Sequence, residues 1–324
     1  MRRVLEVVLV VLLVLVFSNV GFAGHADKGK VAIVLADFGT TYPTGFVDIL
    51  NIEKQVKKAF PHQKVVFAFT SNIIRHIWHK RRHDEGFLKK YPQAKEFLDI
   101  KGPLATIADL QDEGYKTIIV QPTHIYDGEE FHDLCSYVAG LNAIKTMKEK
   151  YMPFKKLVVG RPALGRNVWR YDYHEDIKIA AKALADDVAF AKKQKAALVY
   201  MGHGNEFFST GAYAELQKQL RKMYKTNKIF VGTVEGFPSL EDTLDSVKRE
   251  GIKRVVLKPL MVVAGDHANN DMCGKDEDSW RSAFKKAGID VICNIHGLGE
   301  NNKWVNIYIQ HIRDVAKDNN IELK

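Results

Sequence analysis

The chain has 324 residues, 46% of them hydrophobic and 27% charged, which suits one large or two mid-sized globular domains and excludes a disordered chain. Its formal charge of +9 is spread without the Lys/Arg runs of a nucleic-acid arm, so a small polyanionic ligand accounts for it and no nucleic-acid partner is expected. Cys135, Cys273 and Cys293 share no CxxC spacing, which argues against a disulfide framework, a thiolate zinc site and a thioredoxin-type redox pair, leaving His and carboxylates to hold any metal.

The first segment reads as a secretory signal peptide over residues 1–26. Arg2 and Arg3 precede an apolar run from Val7 to Phe17, followed by small residues up to Ala23 and Ala26, the expected cleavage positions. The run is too short to span a bilayer, so no stable membrane insertion is expected after cleavage. Removing Arg2, Arg3 and Glu6 gives a mature charge of +9 − 2 + 1 = +8, and export implies a periplasmic or extracellular location.

From Asp27 onward, short β-branched runs alternate with longer amphipathic, Lys/Glu-rich stretches, the pattern of βα units feeding parallel sheets. Strands are predicted at Val31–Ala36, Val65–Phe69, Thr117–Gln121 and Leu157–Gly160, then at Ala197–Met201, Ile229–Gly232, Arg254–Val263 and Val291–Ile295. The two sets of four resemble each other. Pro122 and Gly128 in PTHIYDGEE match Pro259 and Gly265 in PLMVVAGDH, while Leu164, Gly165, Trp169 and Ile177 match Leu298, Gly299, Trp304 and Ile312. The expectation is an α/β fold of two similar lobes, 27–165 and 166–324, each a parallel four-stranded sheet flanked by helices, with a cleft between them. The first lobe carries an insertion between Asn72 and Leu110 that contains the basic segment IRHIWHKRRH.

Ligands of α/β sheets gather at the carboxyl ends of strands. In the second lobe those ends carry His203 in MGHGNE, Glu235 in GTVEG and His267 in VAGDHANND, each beside a glycine that permits a sharp turn. Two imidazoles and a carboxylate can form an open site for a borderline divalent metal. No HExxH, HxH or Asp-rich calcium loop competes, and GTVEGFPS lacks the Lys-Ser/Thr of a phosphate loop, so no nucleotide is expected.

The segments DFGTTYP, PTHIYDGEEF, MGHGN, VEGFPS and GDHANNDM together resemble the anaerobic, class II sirohydrochlorin cobaltochelatases of the CbiK type, within the wider chelatase superfamily. The resemblance implies insertion of Co²⁺, with Fe²⁺ as an alternative, into sirohydrochlorin or a related tetrapyrrole held between two lobes, and it places the metal-binding and catalytic residues at His203, Glu235 and His267. The histidines would bind metal and accept pyrrole protons. Arg161 and Arg166 are candidates for binding substrate carboxylates. His124 is expected in the cleft or in lobe packing, with haem ligation at a subunit interface of a homo-oligomer as its other role. His76, His79 and His83 read as a solvated basic helix face, Glu129 and Glu130 as groups supporting the site, His132 as a surface residue, and Tyr171, Tyr173 and His174 as aromatic packing. The signal peptide departs from the cytoplasmic setting usual for the cobalamin pathway. A periplasmic metal or haem carrier and a metal-dependent hydrolase are the other classes that this site chemistry admits.

Overall fold

A computed structural model describes residues 30–166, 170–206 and 210–323; the signal-peptide segment and Trp169 lie outside the described residues. Eight strands form two parallel sheets of four. The first comprises β1 (Val31–Asp37), β2 (Lys64–Phe69), β3 (Thr117–Pro122) and β4 (Lys156–Val159), in the order β2-β1-β3-β4. The second comprises β5 (Ala197–Gly204), β6 (Ile229–Glu235), β7 (Arg254–Leu260) and β8 (Asp290–Cys293), in the equivalent order β6-β5-β7-β8. The repeated motifs are therefore matched by repeated topology. The central strands are buried almost throughout, as continuous apolar runs covered on both faces require.

Helices α1 (Phe46–Ala59), α2 (Asn72–Arg81), α3 (Glu85–Lys90), α4 (Pro103–Asp112) and α5 (Glu129–Asn142) belong to the first half of the chain. The expected insertion forms α2, α3 and a 3₁₀ stretch, Pro92–Phe97, around a separate aromatic core in which Trp78 and Phe97 pack against Phe46 and Phe69. Then follow α6 (Tyr173–Ala183), α7 (Ala185–Lys193), α8 (Gly211–Tyr224), α9 (Leu240–Arg249), α10 (Trp280–Lys286) and α11 (Asn302–Asp318).

The halves exchange helices. α6, which follows β4, packs against α8 of the second half, and α11, which follows β8, packs against β3 and α1 of the first. Tyr308 of α11 donates its hydroxyl to the Thr123 carbonyl at 2.7 Å, and Trp304 Nε1 donates to Tyr308 at 3.0 Å. One apolar core consequently runs through both sheets, from Ile33 and Ile119 to Tyr200, Leu260 and Trp304.

Cys273 and Cys293 form a disulfide, which corrects the expectation drawn from cysteine spacing. That expectation tested only for local spacing signatures. A bridge between the end of β8 and the segment after β7 joins residues 20 positions apart that the sheet order makes neighbours. Cys135 is the free, half-buried cysteine, and burial pushes its thiol upward.

Candidate active site in the interlobe cleft

β5 and β6 continue beyond their apolar runs because the ladder extends to the Gly204–Glu235 pair, so His203 and Glu235 are held inside regular strand ends. Gly204 has φ +81°, and a Cβ there would fall 1.7 Å from the Glu235 carbonyl oxygen. Only glycine lets the two strand ends approach in this way. His267 precedes a short π-helical turn, Ala268–Met272, that follows β7.

His203 stands beside each of the other two, although Glu235 does not itself line the cleft. The rings of His203 and His267 stand edge to face with centroids 4.9 Å apart, and His203 Nδ1 lies 4.0 Å from Glu235 Oε2. Among the described residues no three His, Cys, Asp or Glu side chains are gathered closely enough to hold a metal ion between them.

Hydrogen bonds decide the chemistry of the two imidazoles. His267 Nδ1 lies 2.6 Å from Asp271 Oδ2, and His203 Nδ1 lies 3.1 Å from the Gly204 carbonyl. Both partners are acceptors, so both Nδ1 atoms carry the proton and each neutral ring keeps its Nε2 lone pair. Such a pair can bind a metal or take up a proton.

Both histidines line a cleft of about 690 Å³ between the two sets of strand ends. Its opposite wall follows from the repeat. Ala36 pairs with Pro122, and Met201 pairs with Pro259, so β1 and β5 correspond with Phe38 opposite His203 in the repeat. The same register places Ser71 at the position of Glu235, and Glu130 at that of His267. Phe38, Ser71 and Glu130 all line the cleft. The duplicated scaffold thus presents two imidazoles on one wall and a phenyl ring, a hydroxyl and a single carboxylate on the other.

The floor and rim hold residues not singled out by sequence. Asp37 ends β1 fully buried, accepting hydrogen bonds from Thr123 Oγ1 at 2.6 Å and Gly39 N at 2.7 Å; burial outweighs these bonds and raises its pKa. Tyr42 donates its hydroxyl to Asp266 and accepts from Asn270 at 2.9 Å, tying the DFGTTYP loop to the GDHANND loop across the cleft. Outside the cleft lining, buried Asp48 of α1 accepts from Ala264 N at 3.0 Å and Glu300 N at 3.1 Å, and burial pushes its carboxyl up to about 8.

Several expected residues take other positions. Arg161 does not line the cleft: its guanidinium bonds Asp176 through Nε at 2.7 Å and Nη2 at 2.9 Å, and Asp314 at 2.8 Å, so it fastens α6 and α11 to the end of β4. Burial would push Asp176 upward, but its bonds to His311 and Arg161 hold it below the usual carboxylate value. Arg166 pairs with Asp127 at 3.3 Å over the Phe131 ring and is likewise absent from the cleft lining. Both arginines correct the expectation of carboxylate binding there, because buried or neighbouring acids already occupy them.

His124 lines the cleft, but both its ring nitrogens are buried without a partner, and burial draws its pKa down to about 4. It sits on the floor and not on an outer face. His76, His79 and His83 are exposed. Glu129 lies 3.5 Å from Asn205 Nδ2, and His132 reaches Asp127 at 3.0 Å. Tyr171 lies under Arg161 and donates to Asp318 at 2.8 Å; Tyr173 and His174 stack on each other at 4.0 Å. Asp271 and Tyr42 were within reach of the sequence: the first stands four residues after His267, a helical spacing, and the second lies in DFGTTYP. Arg81 also lines the cleft, where its basic neighbours had suggested only a solvated face.

Known proteins resemble the chain over most of its length. The chain is 31% identical to the sirohydrochlorin cobaltochelatase of Salmonella typhimurium over 284 residues, 87% of this chain and 95% of that protein. It is 28% identical to the sirohydrochlorin cobaltochelatase CbiKC of Nitratidesulfovibrio vulgaris over 288 residues, 89% of this chain and 91% of that protein. The crystal structure of the sirohydrochlorin chelatase SirB from Bacillus subtilis subspecies spizizenii in complex with cobalt superposes with a TM-score of 0.54 at 12% identity, covering 91% of this chain and 98% of that one, which is a likeness of fold. The profile of the cobalt chelatase family matches residues 31–317, almost all of the chain that follows the leader-like segment, and the chain belongs to that family, the CbiK family.

Proposed function

We propose that the protein inserts Co²⁺ into sirohydrochlorin or a closely related tetrapyrrole. The observation that carries this reading is the matched pair of imidazoles, each with Nδ1 committed as a donor and Nε2 left with its lone pair, on one wall of a cleft of about 690 Å³. Membership of the cobalt chelatase family and the names of the two relatives support the reaction class.

Metallation removes two pyrrole protons and strips water from the incoming ion. In this reading His203 and His267 receive the ion, Glu235 offsets its charge, and the two imidazoles freed by transfer of the ion to the ring each take up one of the two pyrrole protons. Fe²⁺ satisfies the same borderline donors and is the alternative substrate metal. The wall of Phe38, Ser71 and Glu130 would face the other side of the ring. No residue needs a nucleotide or an organic cofactor for these steps.

The signal-peptide reading of residues 1–26 and the disulfide between Cys273 and Cys293 together support a periplasmic protein, since disulfides persist in oxidising compartments. Haem carriage through His124 at a subunit interface has less support, because that imidazole lies in the cleft floor.

The test is to mix the purified mature protein anaerobically with sirohydrochlorin and Co²⁺ or Fe²⁺ and follow the absorption change of metallation. Turnover above the uncatalysed rate is expected. Tight binding of metal or macrocycle without turnover would establish a carrier instead.

A further inference from the structure

The inserted helix α2 presents Ile73, Ile77 and Arg81 to the cleft at i, i+4 and i+8, a single face of the helix. Two features of this face need a ligand to explain them. Ile73 is 74% exposed although it lines a cavity, so its apolar surface is in water when the cleft is empty. Arg81 has no acidic partner among the described residues, in contrast to Arg161 and Arg166, which are both paired. The nearest acid in sequence, Asp84, attracts Arg81 only through space, because its side chain caps α3 by accepting from Phe87 N at 2.9 Å.

Arg81 is nevertheless held in place. Its guanidinium stacks over the Phe87 ring at 4.2 Å and the Trp78 ring at 5.1 Å, and it donates to the Thr41 carbonyl. Fixed, partly desolvated and with no carboxylate in ion-pair contact, it is built to meet an anion, and a planar fork recognises a carboxylate best. An apolar track that ends in such a fork fits a flat macrocycle bearing carboxylates on its periphery.

We propose that α2 is the substrate-recognition element of the cleft, with Ile73 and Ile77 seating one edge of the macrocycle and Arg81 binding one of its peripheral carboxylates. This rests on the tetrapyrrole reading above and assigns to Arg81 the role that sequence had suggested for Arg161 and Arg166. The residue is a specificity determinant and takes no part in proton or metal transfer.

The experiment measures binding of two metal-free porphyrins to the full mature chain by fluorescence quenching: the octacarboxylate uroporphyrin and a dicarboxylate porphyrin. Arg81→Gln should weaken uroporphyrin binding by about tenfold or more while changing the dicarboxylate much less, and Arg81→Lys should restore part of the difference. With sirohydrochlorin and Co²⁺, the Gln variant should raise KM and leave kcat near wild type. Thermal unfolding of each variant controls for loosening of the Trp78–Phe87 stack. Equal affinity of wild type and Arg81→Gln for uroporphyrin would overturn the proposal, as would an equal loss for both porphyrins, which would mark Arg81 as a support for the helix. Failure of the wild type to bind either porphyrin would instead overturn the tetrapyrrole reading itself.

Discussion

Asp271 turns His267 from a surface imidazole into one with a fixed tautomer, because a carboxylate 2.6 Å from Nδ1 can only accept. Asp271→Asn can present its NH₂ group to the same nitrogen and release that tautomer. Metal affinity should then fall roughly 10- to 100-fold, as for other partners of metal-binding histidines, which Co²⁺ titration would show. His203→Ala and His267→Ala should each abolish metallation with the far-ultraviolet circular dichroism unchanged, since both side chains, one at the end of β5 and one in the loop after β7, are partly exposed and outside the core. Wild-type rates in either variant would remove it from the site. Asp48 has a different effect. Its carboxyl is raised to about 8 by burial, so the folded state holds a proton that the unfolded chain releases near the ordinary Asp value. Its contribution is therefore complete below about pH 4 and is lost as pH rises toward 8, with a slope of at most about 1.4 kcal/mol per pH unit. Urea midpoints at pH 5 and pH 7.5 should differ less in Asp48→Asn than in wild type; an unchanged difference would show that Asp48 is ionised in the fold.

The disulfide belongs to the scale of elements. It joins the end of β8 to the residue that closes the turn after His267, so one end of the metal-site loop is tethered to the sheet. Cys273→Ser with Cys293→Ser should lower stability by about 3 kcal/mol on a loop-entropy estimate and weaken Co²⁺ binding, with the sheets intact. Equal Co²⁺ affinity in oxidised and reduced protein would show that the tether does not shape the site. Strands were the most legible elements in the sequence, because fully buried parallel strands are unbroken β-branched runs that few helices imitate. His203, Glu235 and His267 were legible for a related reason: strand ends flanked by glycine are where such folds expose side chains. Arg161 misled because a basic residue at a strand end looks the same whether it meets a ligand or a buried acid. The acids that claim it, Asp176 and Asp314, are 15 and 153 positions away, and only the fold shows that they are adjacent. The cysteine pair was hidden in the same way. Arg81 was hidden by composition, since a run of Arg, Lys and His reads as solvated until the helix is docked and one of its faces proves to line the cleft.

At the scale of the molecule, two copies of one topology are joined by an apolar core that both contribute to, and the duplication has diverged where it meets the cleft. One wall kept or gained metal-binding groups, and the other carries Phe38, Ser71 and Glu130 at the corresponding positions. The same lacing sets the order in which the chain can finish folding. The hydroxyl of Tyr308 reaches the Thr123 carbonyl across 185 positions, and Trp304 is wholly buried beside it. A chain ending at Glu300 should therefore leave one face of the first sheet open, bind a hydrophobic dye and be cut by protease within the first half; a protease-resistant first half would mean that its sheet is closed without the last helix. The sheet built from the earlier half of the chain is thus closed by a helix from the later half, so that earlier half has to be shielded from aggregation until the helix Asn302–Asp318 is available.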